Sequence, residues 1–275
     1  MEYGHLIHSM KLKSTLVIAS AIFLGLSLAV ESLSIPLDKL LILYLALGVG
    51  CSGTAQALNT VSDSKIDEIE HQERPLPRGL VTSKEVLEHT SLLPLAVLPS
   101  LLLSTKIFVL AVTGLVFGIL YSLPPFYLGR RWQTSYLLLA LGYVAIPMLC
   151  GWLAVRELNP FILETTAYFT LTALVLSPLR DCCDIKGDSL YGKESLPVKL
   201  GVDGTLRLTL VSAVLLSLLF LYHRPGIASY LLPLMLLSTP IVYYIAKNPA
   251  EKRSFTLLEG FSSLVMISFI VWWFI

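Results

Sequence analysis

The chain has 275 residues, of which 55% are hydrophobic and only 14% charged, with a mean hydropathy of +0.75 and a formal net charge of +1. A soluble domain carries about a quarter charged residues, so the composition excludes one and reads as an integral membrane protein. A near-neutral chain with no basic arm and no RNA-binding motif gives no sign of a nucleic-acid partner.

A membrane-crossing helix needs about 20 predominantly apolar residues. On that measure nine helices are expected, at roughly 12–30, 39–69, 84–103, 106–122, 133–154, 159–183, 203–222, 227–246 and 254–274. The first apolar run, Ser14 to Val30, lacks a small-residue cleavage site and reads as a span rather than a removable signal. The second helix is too long for the bilayer alone, because about 30 residues at a 1.5 Å rise make about 45 Å, so its acidic end must stand at the interface or beyond. Pro94, Pro99, Pro147, Pro178, Pro233 and Pro240 are expected to kink or end helices. Cys51, Cys150, Cys182 and Cys183 read as buried, unpaired thiols, since the vicinal pair has no second Cys/His pair with which to build a zinc site. The histidines, at 5, 8, 71, 89 and 223, show no ligand spacing and receive no role.

Lysine and arginine set the topology. With nine spans, one side of the membrane receives Lys11, Lys13, Lys65, Arg74, Arg78, Lys84, Arg130, Arg131, Arg180, Lys186, Lys193, Lys199, Arg207, Lys247, Lys252 and Arg253. The other receives Lys39, Lys106, Arg156 and Arg224. Under the positive-inside rule the first side is cytoplasmic. Trp272 and Trp273 then fall at the far interface as belt residues.

The chemistry is expected where the second helix ends, in NTVSDSKIDEIEHQERPLPRG, Asn59 to Gly79. Asn59, Asp63 and Asp67 are four residues apart and share one helix face. Two carboxylates and an amide so placed are hard oxygen ligands for a cation such as Mg²⁺. Asn59 reads either as a ligand or as a packing amide. The same grammar returns in RDCCDIKGDSLYGKESLPVKLG, where Asp184 and Asp188 repeat Asp63 and Asp67, Leu196-Pro197 repeats Leu76-Pro77, and Gly201 repeats Gly79. This repeat points to two related halves, about 12–122 and 133–246, with a last helix at 254–274, in one domain spanning 1–275. Both acidic motifs fall on the basic side of the membrane. Asp181 is an additional, deeper acid on the second motif, either paired with Arg180 or free to act as a base. The fourth span ends in Tyr121-Ser122-Leu123-Pro124-Pro125, followed by Arg130 and Arg131. A tyrosine ring there can face a cation and arginines can fork onto phosphate oxygens.

The combination resembles the UbiA superfamily of intramembrane prenyltransferases: nine apolar helices, N-x3-D-x3-D after the second, D-x3-D after the sixth, and the flanking RPLPRG and LPVKLG. The resemblance implies an all-α membrane bundle around a central cavity and two Mg²⁺ ions, one set held by Asn59, Asp63 and Asp67 and the other by Asp184 and Asp188. It also implies a prenyl diphosphate donor whose tail lies in the apolar cavity, open to membrane lipid. Arg74, Arg78, Ser122, Arg130, Lys186, Lys193 and Lys199 are the expected diphosphate contacts, Tyr121 stands near the reacting carbon, and Asp181 is the expected proton acceptor. Thr60 stands where many members carry Asp, Gly129 where a Lys often precedes the Arg, and an Arg-Pro common near the first helix is replaced by Lys11 and Lys13. The acceptor is either an aromatic ring such as 4-hydroxybenzoate or a glycerophosphate such as geranylgeranylglyceryl phosphate. A CDP-alcohol phosphotransferase is disfavoured because its Asp-Gly/Ala-Arg run is missing. A secondary transporter is disfavoured because its coupling acids belong at mid-membrane, not at one rim.

Overall fold

The computed structural model describes residues 15–223, and every described element is helical or irregular. The helices expected at 227–246 and 254–274, the Trp272-Trp273 pair, and Lys11 and Lys13 lie outside the described residues, as does the Cys183 side chain. In chain order the helices are α1 (Thr15–Val30), α2 (Leu37–Ser62), α3 (Ser64–Glu70), α4 (Ser83–Thr90), α5 (Thr105–Ser122), α6 (Trp132–Leu153), α7 (Pro160–Cys182), α8 (Ile185–Leu190) and α9 (Leu196–His223). Among the described residues five, α2, α5, α6, α7 and α9, are long and apolar enough to cross a membrane, and α1 is a shorter apolar helix.

Two expected helices come out differently, each for a local reason. The expected helix 39–69 bends at Asp63, which leaves the helical region (φ −95°, ψ 12°) and so divides α2 from α3. Ser62 and Asp63 carry short side chains that compete for backbone groups, and the Ser62 hydroxyl donates back to the Asn59 carbonyl at 3.2 Å. The expected helix 84–103 is a short α4 followed by a 3₁₀ segment, Leu93–Leu102, because Pro94 and Pro99 lack the donors of an α-helical ladder. Thr82 and Glu85 start α4 with a reciprocal capping box. The seventh expected helix, 203–222, is the stretch of α9 that follows Gly201, where the backbone leaves the helical region (φ 69°, ψ 174°) and separates it from a short helical segment that starts at Leu196.

Helix α1 is the packing centre. One of its faces (Ala21, Leu24, Leu28) belongs to a buried cluster with Met148 and Trp152 of α6, Ile162, Tyr168 and Phe169 of α7, and Phe220 of α9. The other (Ile18, Ile22, Leu26) meets Leu43, Leu47 and Cys51 of α2, Ile107 and Ala111 of α5, and Ile146 and Cys150 of α6. Cys51, Cys150 and Cys182 are buried and outside any disulfide, as expected. Outward leucines and valines, such as Leu98, Leu102, Val211, Leu215 and Leu218, stay exposed, the pattern of helices whose outer surface meets lipid rather than water. Three of the basic residues expected on the sparse side gather at one end: Lys39 donates to the Ala154 carbonyl at 2.6 Å, Lys106 pairs with Glu157 at 2.5 Å and Arg156 with Glu31 at 2.7 Å.

Helices α1 and α6 approach closely enough to need glycine. A Cβ on Gly25 would lie 2.1 Å from the Met148 carbonyl oxygen, and one on Gly151 2.5 Å from that of Ile22. Both obstacles are backbone, which cannot step aside. Gly25→Ala and Gly151→Ala are each expected to destabilise the protein by about 1–3 kcal/mol, read as a lowered unfolding temperature in detergent.

Candidate active site

The two acidic motifs fold into the same local shape. Asp63 (φ −95°, ψ 12°) and Asp184 (φ −113°, ψ 16°) each stand at the bend before a short helix, and each carbonyl accepts from the N–H of the acid four residues on, Asp67 or Asp188, at 2.9 Å. These inner acids are almost wholly buried, Asp67 at 2% and Asp188 at 0% exposure. Each takes a cation from the loop that follows: Arg74 Nη1 reaches Asp67 Oδ1 at 2.5 Å, and Lys193 Nζ reaches Asp188 Oδ1 at 3.2 Å. Gly79 and Gly201, which close the two motifs, share φ of 69°.

The end of α3 lies against the start of α8. His71 Nε2 lies 3.0 Å from Asp184 Oδ1, and Glu70 Oε1 accepts from the Gly187 N–H at 2.7 Å. Gly187 is required, since a Cβ there would come within 2.8 Å of Ile66 and 3.0 Å of Glu70. Burial works against ionisation of Asp184, but the His71 hydrogen bond, with Lys193 and Arg180 nearby, holds its carboxyl below the usual range. Asp188 goes the other way: burial, with Asp181 and Asp184 adding to it against Lys193, pushes its carboxyl up to about 7. Burial alone would lower the Lys193 ammonium, yet Asp181, Asp188 and Asp63 hold it well above its ordinary range.

These tips cap a cavity of about 140 Å³. Asn59, Asp63, Asp67, Asp184, Arg74, Arg180 and Lys193 line its polar end, Phe117, Tyr121 and Tyr143 stand along it, and Ile18, Leu47, Cys51 and Ile146 are among its apolar walls. Two π-helical stretches, Tyr44–Gly53 in α2 and Leu141–Ala145 in α6, contribute to this wall. Tyr121 presents its hydroxyl to Ser135 Oγ (3.1 Å) and accepts from Arg180 Nη2 (3.4 Å). Its ring explains Gly129, where a Cβ would come within 2.6 Å of the ring carbons. Arg130 lines an adjoining recess with Asn59, Asp63, Tyr121 and Lys193, its guanidinium 4.3 Å from the centre of the Tyr127 ring.

Other expected site residues stand apart from the cavity. Arg78, Lys186 and Lys199 are exposed and line neither recess, and Lys199 pairs with Glu194 at 2.6 Å. Ser122 is 1% exposed and faces neither recess. Asp181 is 1% exposed behind the wall, where its Oδ2 accepts from the Tyr136 hydroxyl at 2.9 Å and its Oδ1 lies 3.5 Å from Arg180 Nε. Tyr136 in turn accepts from the Leu196 N–H at 3.2 Å, tying α6, α7 and α9 together beneath the site. Asp188 is also turned from the cavity, toward Lys193.

Sequence reasoning missed Arg180 as a cavity residue, although it stands four residues before Asp184. It also passed over Glu70, His71 and Tyr136, whose partners are remote in sequence. The carboxylates suit a divalent cation: Asp67 Oδ2 and Asp188 Oδ2 are buried without a hydrogen-bond partner, the arrangement a hard ion satisfies. As the side chains stand, no three Asp, Glu, His or Cys groups among the described residues converge tightly enough to hold one. Arg74, His71 and Lys193 occupy Asp67, Asp184 and Asp188 instead.

Chlorophyll synthase from Avena sativa is 28% identical over 230 residues, covering 78% of this chain but only 60% of that enzyme's length. Digeranylgeranylglyceryl phosphate synthase from Thermococcus gammatolerans is 28% identical over 254 residues, 86% of this chain and 87% of that one. The solved structure of a UbiA homologue from Archaeoglobus fulgidus bound to GPP and Mg²⁺ superposes with a TM-score of 0.70 at 14% identity, over 100% of this chain and 99% of that one. Residues 18–269 match the model of the UbiA prenyltransferase family, and the chain belongs to that family.

Proposed function

We propose that this protein transfers a polyprenyl group from an allylic prenyl diphosphate to a lipophilic acceptor, with Mg²⁺, and releases diphosphate. The observation that carries this reading is a single cavity with acids and cations at one end and apolar and aromatic walls behind them. An amphipathic donor with a charged head and a hydrocarbon tail matches both ends. The names of the relatives agree with a donor and acceptor of that kind. Geranylgeranylglyceryl phosphate is the first acceptor to test and 4-hydroxybenzoate the second. The matched bends at Asp63 and Asp184 support two related halves, and the distribution of basic residues supports a site on the cytoplasmic face of the cell membrane.

Asn59, Asp63 and Asp67 would hold one ion, and Asp184 and Asp188 a second. When bound, Mg²⁺ would neutralise diphosphate oxygens and make the diphosphate a better leaving group. With the carboxylates holding ions, Arg74, His71 and Lys193, which now pair with Asp67, Asp184 and Asp188, would be available to the phosphate oxygens. Arg180 adds a guanidinium already in the cavity, and Arg130 one at its rim. As charge moves onto the departing diphosphate, these fixed cations stabilise it. The Tyr121 and Phe117 rings face the allylic carbon as it becomes cationic, and the apolar walls keep water from capturing it. Asp181 sits behind the wall, so its placement favours holding Arg180 and Tyr136 in position over taking the acceptor's proton.

Two outcomes are expected. With labelled geranylgeranyl diphosphate and each acceptor in turn, the purified protein should form a prenylated product that chelation abolishes. Asp63→Ala and Asp184→Ala should each lower the rate by about 100-fold or more, and full activity in either variant would refute the assignment. The second outcome concerns pH. The Asp188 carboxyl is held up at about 7 in the fold and titrates near 4 in an unfolded chain. The folded state therefore binds the extra proton, and its stability is greatest below about 4 and declines as pH rises through 7. Asp184, held low, contributes in the opposite sense only below about 4. The metal-free protein should thus melt several degrees lower at pH 8 than at pH 5.5, and Asp188→Asn should flatten that dependence.

A further inference from the structure

Three glycines line the cavity, and they do so for different reasons. A Cβ on Gly118 would lie 2.7 Å from the Ala55 Cβ, so that glycine is required for α5 to approach α2. A Cβ on Gly114 would make ordinary contacts, 3.6 Å to Ile146 and 3.8 Å to Cys51. Gly142 is unlike both: it borders the cavity, and a Cβ there would meet nothing within 4 Å. Helix packing does not require a glycine at 142. Nor does backbone conformation, since the residue lies inside a helical stretch, Leu141–Ala145, where glycine is less favourable than alanine or leucine. What its missing side chain provides is space inside the cavity.

The depth of that space is fixed by its neighbour. The Tyr143 hydroxyl accepts a hydrogen bond from the Gln56 amide, and Gln56 lies three residues before Asn59 on α2, about 4.5 Å along the axis. Leu138 and Leu139 border the cavity one turn earlier on α6, and Ile146 borders it one turn later. Gly142 therefore stands between the charged mouth and the apolar end, at the level of Gln56, about one turn below Asn59 and about two below Asp63.

We propose that Gly142 is a specificity-determining position, whose open recess lets a prenyl tail longer than one isoprene unit pass from the mouth to the apolar end. The inference rests on the prenyl diphosphate reading above and goes beyond it by naming the residue that sets the admissible tail length. A branched side chain at 142 would leave the head site intact and close the way below it, discriminating by steric exclusion.

The test is donor binding by calorimetry on the detergent-purified protein with Mg²⁺ and no acceptor, using dimethylallyl diphosphate and geranylgeranyl diphosphate as probes. Wild type is expected to bind both. Gly142→Leu is expected to keep its unfolding temperature and its dimethylallyl diphosphate affinity within about twofold, and to lose roughly tenfold or more for geranylgeranyl diphosphate. Gly142→Ala should fall between, and decides by the same ratio if the leucine variant does not fold. Equal loss for both donors, or none for either, overturns the role of Gly142 while leaving the donor class standing. Failure of wild type to bind either donor overturns the donor class and this inference with it.

Discussion

The site depends on one contact between segments more than a hundred residues apart. The His71 imidazole bonds the Asp184 carboxylate, and next to it the Glu70 carboxylate takes the Gly187 N–H. This fastens the start of α8 to the end of α3, so that the acids of both motifs are presented to one space. Without it, α3 and α8 would be short helices of seven and six residues with little intrinsic stability. Gly187 makes the approach possible and Glu70 makes it directional.

Such an assembly is costly in the abstract, because several like charges are gathered where water is scarce. The chain manages this by interleaving. Arg74 stands on Asp67, Lys193 on Asp188 and Arg180 beside Asp181, each from the same motif, while His71 reaches Asp184 from the other motif, so each of these acids has a basic side chain beside it. Asp188 shows where the compensation is thinnest: fully buried, facing a single ammonium at 3.2 Å, its carboxyl is pushed upward. Acids and cations are thereby brought together at the polar end of one cavity.

Much of this was legible in the sequence, and the parts that were not share a cause. Composition and apolar runs located α1, α5, α6 and α7, and the start of α2, within a few residues, because lipid-facing helices advertise themselves by length. The repeat of Asp63 and Asp67 in Asp184 and Asp188 named the acids that form the two tips, and three of those four line the cavity. The bend at Asp63 was not read, since a face argument for Asn59, Asp63 and Asp67 treats the helix as unbroken. The π-helical stretches leave no period in the sequence that a window could detect. His71, Glu70 and Tyr136 act through partners 113, 117 and 45 residues away, and spacing rules see only near neighbours. Arg78, Lys186 and Lys199 share the right segment and the right charge with Arg74 and Lys193, but a sequence does not say which basic side chains face inward.

Asp181 shows how a residue can be central without touching the chemistry. It reads from sequence as the deepest acid and hence the natural base. The fold instead makes it a hub: Tyr136 bonds one oxygen, Arg180 approaches the other, and Tyr136 carries the link on to the Leu196 backbone where the second motif returns to the membrane. Arg180 places a second nitrogen, Nη2, on Tyr121, which stands at the cavity wall and rests on Ser135. A buried carboxylate thus fixes the heading of a cavity guanidinium and, through it, of the ring nearest the acids. Removing its charge would loosen Arg180 and Tyr121 together, because both are aimed by a group that never meets the cavity itself.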